Sequence, residues 1–119
     1  MRTLNSKQKA LYDHCMKDAT TSERMLIFIT GGAGVGKLVL MRALHEGFTR
    51  YYECLRGNKP DRIKVIRMAP TGSAAFSIGG ETIHRGLKVP IDTKCVTLCT
   101  DKLNTMIAEY GDVQVILLD

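Results

Sequence analysis

No apolar run in the 119-residue chain is longer than Met25 to Ile29. That is far short of the roughly 18 residues that cross a bilayer, which excludes a transmembrane helix, and no membrane partner is expected. The start, Met1-Arg2-Thr3-Leu4-Asn5-Ser6-Lys7-Gln8-Lys9, has no apolar stretch of the kind a secretory signal needs, so an intracellular protein is expected. The four cysteines, Cys15, Cys54, Cys95 and Cys99, contain no C-x-x-C pair, and Cys95-x3-Cys99 is followed by no His or Cys at ligand spacing. A zinc site is disfavoured, and reduced thiols with no disulfide-linked partner are expected. Repeats, low-complexity tracts and linkers are absent too, which leaves one domain at most.

What remains is a globular composition, with 45% apolar, 24% charged and 6% aromatic residues. A chain of this size buries roughly two-thirds of its unfolded surface without staples. The net charge is +5 and unevenly spread: residues 1–70 hold 13 Lys or Arg against 6 Asp or Glu, residues 71–119 only 4 against 6. Such an amino-terminal excess suits polyanions, nucleic acid or nucleotide phosphate, although scattered surface lysines give the same count.

Segments with helical and strand-like patterns alternate, which predicts an α/β fold. Asn5 or Ser6 caps a helix to about Asp18, with Leu11, Cys15 and Ala19 on its inner face. Thr20 to Glu23 is a loop, and Met25 to Thr30 reads as a strand buried on both faces. Leu40, Met41, Leu44, Phe48 and Tyr52 then mark the inner stripe of a helix from about Gly36 to Leu55, stopped by the loop Arg56 to Asp61. Ile63 to Met68 is a second strand, Ala69 to Gly72 a turn, and Ser73 to Ile78 a short helix closed by Gly79-Gly80. Residues 81–100 give no firm pattern, and Val96 to Leu98 fits helix or strand. Lys102 to Tyr110 reads as a helix and Val113 to Leu118 as a third buried strand. The end at Asp119 gives the chain the look of a fragment.

Gly31-Gly32-Ala33-Gly34-Val35-Gly36-Lys37 matches G-x-x-x-x-G-K between a strand pattern and a helix pattern, the setting of a phosphate-binding loop. Glycines let the backbone curl with its N–H groups inward, through dihedrals that side chains forbid. The following helix adds its positive end and Lys37 a full charge, together a site for a nucleoside triphosphate. The next position should offer a hydroxyl to magnesium and is Leu38, so phosphate binding is expected to outlast metal placement and hydrolysis. Val115 to Leu118 followed by Asp119 has the pattern of an acidic strand end that positions magnesium.

The phosphate loop, Ala69-Pro70-Thr71-Gly72-Ser73-Ala74-Ala75 and Gly79-Gly80-Glu81-Thr82-Ile83-His84 together resemble the superfamily 1 DNA helicases of the petite integration frequency (Pif) type, over nearly the whole chain. The resemblance implies a P-loop NTPase (RecA-like), three-layer fold with a mainly parallel sheet, seen here as an incomplete motor domain one over residues 1–119. It implies ATP and Mg2+ as cofactors, with Lys37 and Asp119 catalytic and Asp119 holding the metal. The nucleotide segment comprises Gln8 as adenine reader, Gly31, Gly32, Ala33, Gly34, Val35, Gly36, Lys37 and the departing Leu38. Pro70, Thr71, Gly72 and His84 are expected to line a path for single-stranded DNA or DNA junctions.

Plain readings stand beside these. Gln8 is also a solvated amide, Thr71 a helix cap, His84 a surface residue, and Tyr51-Tyr52 core as readily as a base-stacking pair. The implied activity is ATP hydrolysis coupled to DNA unwinding, as in DNA repair, recombination and telomere maintenance, in the nucleus or mitochondrion of a eukaryote. Because of Leu38 and the end at Asp119, the chain alone is expected to do neither. The alternative is a non-hydrolysing nucleotide- or DNA-binding remnant. A small-molecule kinase or GTPase shares the loop but should not carry Ala-Pro-Thr-Gly and Thr-Ile-His together.

Overall fold

The computed structural model describes the chain except residues 1–2, 22–23, 56, 58, 60, 90–96 and 98. Asn5 opens α1 (Ser6–Asp18) with a reciprocal capping box: its Oδ1 accepts from the Gln8 N–H at 2.9 Å, and its own N–H donates to Gln8 Oε1 at 3.0 Å. Cys15 is the buried residue of α1, and burial pushes its thiol up, as befits a packed rather than a reactive cysteine. After the loop comes α2 (Lys37–Cys54), whose Leu40, Met41, Leu44 and Phe48 are buried at the predicted helical spacing.

Beyond α2 lie β1 (Val65–Ala69), α3 (Gly72–Ile78), β2 (Glu81–Thr82), α4 (Ile83–Gly86), α5 (Thr100–Tyr110) and β3 (Val115–Leu118). The strands form a parallel sheet in the order β2-β1-β3, with Val65 opposite Val115 and Met68 opposite both Leu118 and Glu81. Two apolar clusters lie between the sheet and the helices. Cys15, Leu40, Leu44, Phe48 and Val65 make one; Met41, Ala69, Ala75 and Ile78 make the other, and Leu117 touches both. Val65 and Ala69 thus face α2 and α3, while Met68 turns the other way against Gly86 of α4.

The second face of the sheet is thinly covered. In β3 only Val115 and Leu117 pack inward; Ile116 and Leu118 are exposed, so the expectation of a buried strand over Val113 to Leu118 is corrected to a shorter strand covered on one face. No residue of α5 is buried. Polar tethers hold that helix instead: the Arg62 guanidinium donates to the Ala108 carbonyl and lies 3.5 Å from Asp112, and Lys88 pairs with Glu109 at 3.3 Å.

The larger correction concerns Met25 to Thr30. This segment forms no strand and no backbone hydrogen bond among the described residues, with Leu26 fully exposed and Phe28 90% exposed. Only Ile29 turns inward, onto the Cys15/Phe48 cluster that also receives Val115 and Leu117. The residues have strand character, yet a strand exists only with a partner, and this segment makes no ladder to the outer edge of β3 or to any other strand among the described residues. The radius of gyration is 15.9 Å, above the ~13.5 Å of a compact chain this long.

In the range that the sequence left unread, β2 and α4 are present, with Thr82 Oγ1 accepting from the Arg85 N–H at 3.3 Å as the cap of α4. Val96 and Leu98 lie outside the described residues, as do Arg56, Asn58 and Pro60 of the loop after α2.

On α2, burial and then the Arg67 guanidinium hold the His45 imidazole below its ordinary value, against a weaker upward pull from Glu46. The unfolded chain takes up this proton near pH ~6.5 while the folded chain resists it. Stability from this residue is therefore whole above that pH and declines as pH falls toward the folded value. Thermal melts at about pH 7.5 and 5.5 should show a drop on acidification that is smaller in His45→Gln.

Candidate functional site

The loop from Gly31 to Gly36 runs exposed into the first turn of α2. Gly34 and Gly36 adopt φ of 76° and 87°, the left-handed region that side chains resist. At Gly36 a Cβ would also displace the Gln8 carboxamide, so the left-handed backbone demands glycine and the Gln8 contact depends on it. The backbone N–H groups of residues 31–36 donate no hydrogen bond within the described protein. They line the start of an 18-residue helix whose own first N–H groups are free, an arrangement that attracts an anion.

Lys37 arcs back over this loop. Its Nζ donates to the Gly31 carbonyl at 2.6 Å and to the Gly32 carbonyl at 3.3 Å. The ammonium thus sits at the loop's mouth on neutral acceptors that a phosphate oxygen would outcompete.

Gln8 joins α1 to the same loop. Its Nε2 donates to the Val35 carbonyl at 3.3 Å and the Gly36 carbonyl at 3.2 Å, while its Oε1 takes the Asn5 N–H. One carboxamide therefore completes a helix cap and braces the left-handed turn that begins α2. The motif placed Gln8 at the nucleotide segment; the clamp itself spans 28 residues and has no local signal.

Leu38 is partly buried in this fold and, like Ala74 and Leu117, packs against the cluster of Met41, Ala69, Ala75 and Ile78. That contact sets the first turn of α2 against the carboxyl ends of β1 and β3. Because the strands are parallel, the same edge carries Pro70, Thr71 and Gly72 after β1 and Asp119 after β3. The Asp119 N–H donates to the Met68 carbonyl at 3.0 Å, extending the ladder by one residue and leaving the side chain exposed. No ion pair joins Lys37 to Asp119, and no group of three His, Cys, Asp or Glu comes together, among the described residues.

Pro70, Thr71 and Gly72 are exposed, and Thr71 Oγ1 accepts from the Ala74 N–H at 3.3 Å as the cap of α3. His84 is exposed on α4, which follows β2 at the carboxyl edge. Tyr51 and Tyr52 meet edge to face at 5.1 Å near the far end of α2, about 20 Å along the axis from Lys37, and Tyr52 packs on the core. They stand apart from the loop.

The family model described as PIF1-like helicase matches residues 3–119. Over 71 residues the chain is 42% identical to the ATP-dependent DNA helicase PIF1 of Emericella nidulans, covering 60% of this chain and 9% of that protein. Over 100 residues it is 29% identical to the ATP-dependent DNA helicase RRM3 of Saccharomyces cerevisiae, covering 82% and 13%. With the ATP-dependent DNA helicase PIF3 of Trypanosoma brucei brucei it shares 37% over 65 residues, 55% of this chain and 7% of that one. The chain spans roughly a tenth of the length of these relatives. No solved structure matches it. With the family match running from Thr3 through the glycine loop and the Ala-Pro-Thr-Gly turn to Asp119, the chain belongs to the PIF1-like helicase family.

Proposed function

We propose that this chain is the nucleotide-binding part of an ATP-dependent DNA helicase, a RecA-like P-loop unit corresponding to part of motor domain one. The observation that carries this reading is Lys37 folded onto the carbonyls of a glycine loop whose N–H groups are unpartnered. The loop amides of residues 31–36 wrap the phosphates of ATP, and Lys37 leaves Gly31 and Gly32 for the outer phosphate oxygens. Gln8 keeps the turn in shape, and the lone pair left on its Oε1 is free to accept from the adenine amine. Pro70, Thr71, Gly72 and His84 contact single-stranded DNA along the carboxyl edge, where they are exposed. A DNA substrate agrees with the basic first 70 residues, and places the protein in the nucleus or mitochondrion if its source is a eukaryote.

Magnesium fits this chain poorly. Leu38 brings no oxygen and packs against the core, and among the described residues no group of three His, Cys, Asp or Glu comes together around the exposed Asp119. This favours a second reading, a unit that binds nucleotide or DNA without hydrolysing ATP. Calorimetry with ATP in magnesium and in chelator distinguishes the two. The chain should bind ATP with little dependence on magnesium, whereas Leu38→Ser should gain that dependence. Absence of ATP binding under both conditions would overturn the nucleotide reading, and equal, strong magnesium dependence in both proteins would overturn the role given to Leu38.

A further inference from the structure

We propose that the outer face of α3 is a base-stacking contact for single-stranded DNA, with Phe76 as the platform and Arg42 as the adjoining cation. The inference rests on the single-strand reading above and adds to it residues outside the Ala-Pro-Thr-Gly and Thr-Ile-His segments. Helix α3 buries Ala75 and Ile78, which at 100° per residue puts Ser73, Phe76 and Ser77 on the opposite side and Gly72 on its flank. Phe76 is 88% exposed there, whereas Phe48 is buried at 2%. It stands one helical turn beyond Gly72, next to which nothing lies within 4 Å of where a side chain would begin, so small neighbours leave the approach to the ring open.

Arg42 reaches this face from α2. Its Nη2 donates to the carbonyl of Ser77, the residue after Phe76 in the chain, at 2.8 Å, and no carboxylate pairs with it among the described residues. An open aromatic ring on a short helix that also moors a planar, uncompensated cation is a combination that takes a base and its phosphate from a single strand. A protein partner fits less well, because the rest of the outer face is glycine and serine, too little apolar area for an interface core.

The chain has no tryptophan, so Phe76→Trp installs a single reporter at the proposed contact. Titration with a fifteen-thymidine strand should quench its emission, and an abasic strand of equal length should not. Phe76→Ala should weaken binding of the thymidine strand by about five- to hundredfold and leave abasic binding unchanged. Unaltered emission, or equal affinities of Phe76→Ala and the parent chain for the thymidine strand, would overturn the stacking role alone. A parent chain that binds neither strand would remove the single-strand reading as well.

Discussion

Replacing Lys37 by alanine is expected to lower the affinity of this chain for ATP by about ten- to hundredfold, the worth of one hydrogen-bonded full charge on phosphate. The ammonium is the sole charged group that hydrogen-bonds the glycine loop among the described residues, through the Gly31 and Gly32 carbonyls. The side chain is held only by those two exposed contacts, so its removal should leave the melting temperature within a few degrees of the parent. Calorimetry paired with a melt separates loss of the anion site from loss of the fold. An alanine variant that binds ATP as tightly as the parent would leave the loop amides as the whole site and Lys37 without its assigned role. Lys37→Arg is the sharper control: it keeps the charge but brings a larger planar head to a mouth shaped around a small ammonium.

Phe48→Ala carries the second large effect, a loss of about 3–5 kcal/mol of stability. Phe48 is 2% exposed in the cluster that joins α1, α2 and β1, so its removal opens a cavity bounded by Cys15, Leu44 and Val65. Against the 5–15 kcal/mol that holds an ordinary domain folded, that loss should lower the melting temperature by more than about 10 °C. Phe28→Ala is the matched comparison, because it removes the same ring from a site that is 90% exposed. It should leave the melt nearly unchanged and improve solubility, since an exposed apolar segment with unpaired backbone is a site for association. A Phe28→Ala loss as large as that of Phe48→Ala would mean that Met25 to Thr30 is packed in solution after all.

These two phenylalanines show where reading along the chain succeeds and where it stops. Phe48 lies in a helical stripe with Leu40, Met41 and Leu44, and that periodicity alone assigns all four to a core. Phe28 lies in a run with strand character just as clear, yet it stands in solvent, and the run makes no ladder with any strand among the described residues. Helical hydrogen bonds close within four residues, so α1, α2 and α5 were legible to within one or two positions at their ends. Strand pairing is a relation between distant segments, so β1 and β3 were found while the thin cover over Ile116 and Leu118 was not.

The candidate site divides the same way. By itself the sequence determined the glycine loop, its lysine, the missing hydroxyl at Leu38, the Thr71 cap and the family, because each depends on residue types at short fixed spacings. Only the tertiary structure decided that Gln8 clamps Gly36 from α1, that Leu38 packs against the cluster holding Ala69, and that Arg42 is moored on the Ser77 carbonyl of α3. Those contacts join residues 28 or more positions apart, and their geometry follows from how helices and strands dock, which no local pattern encodes.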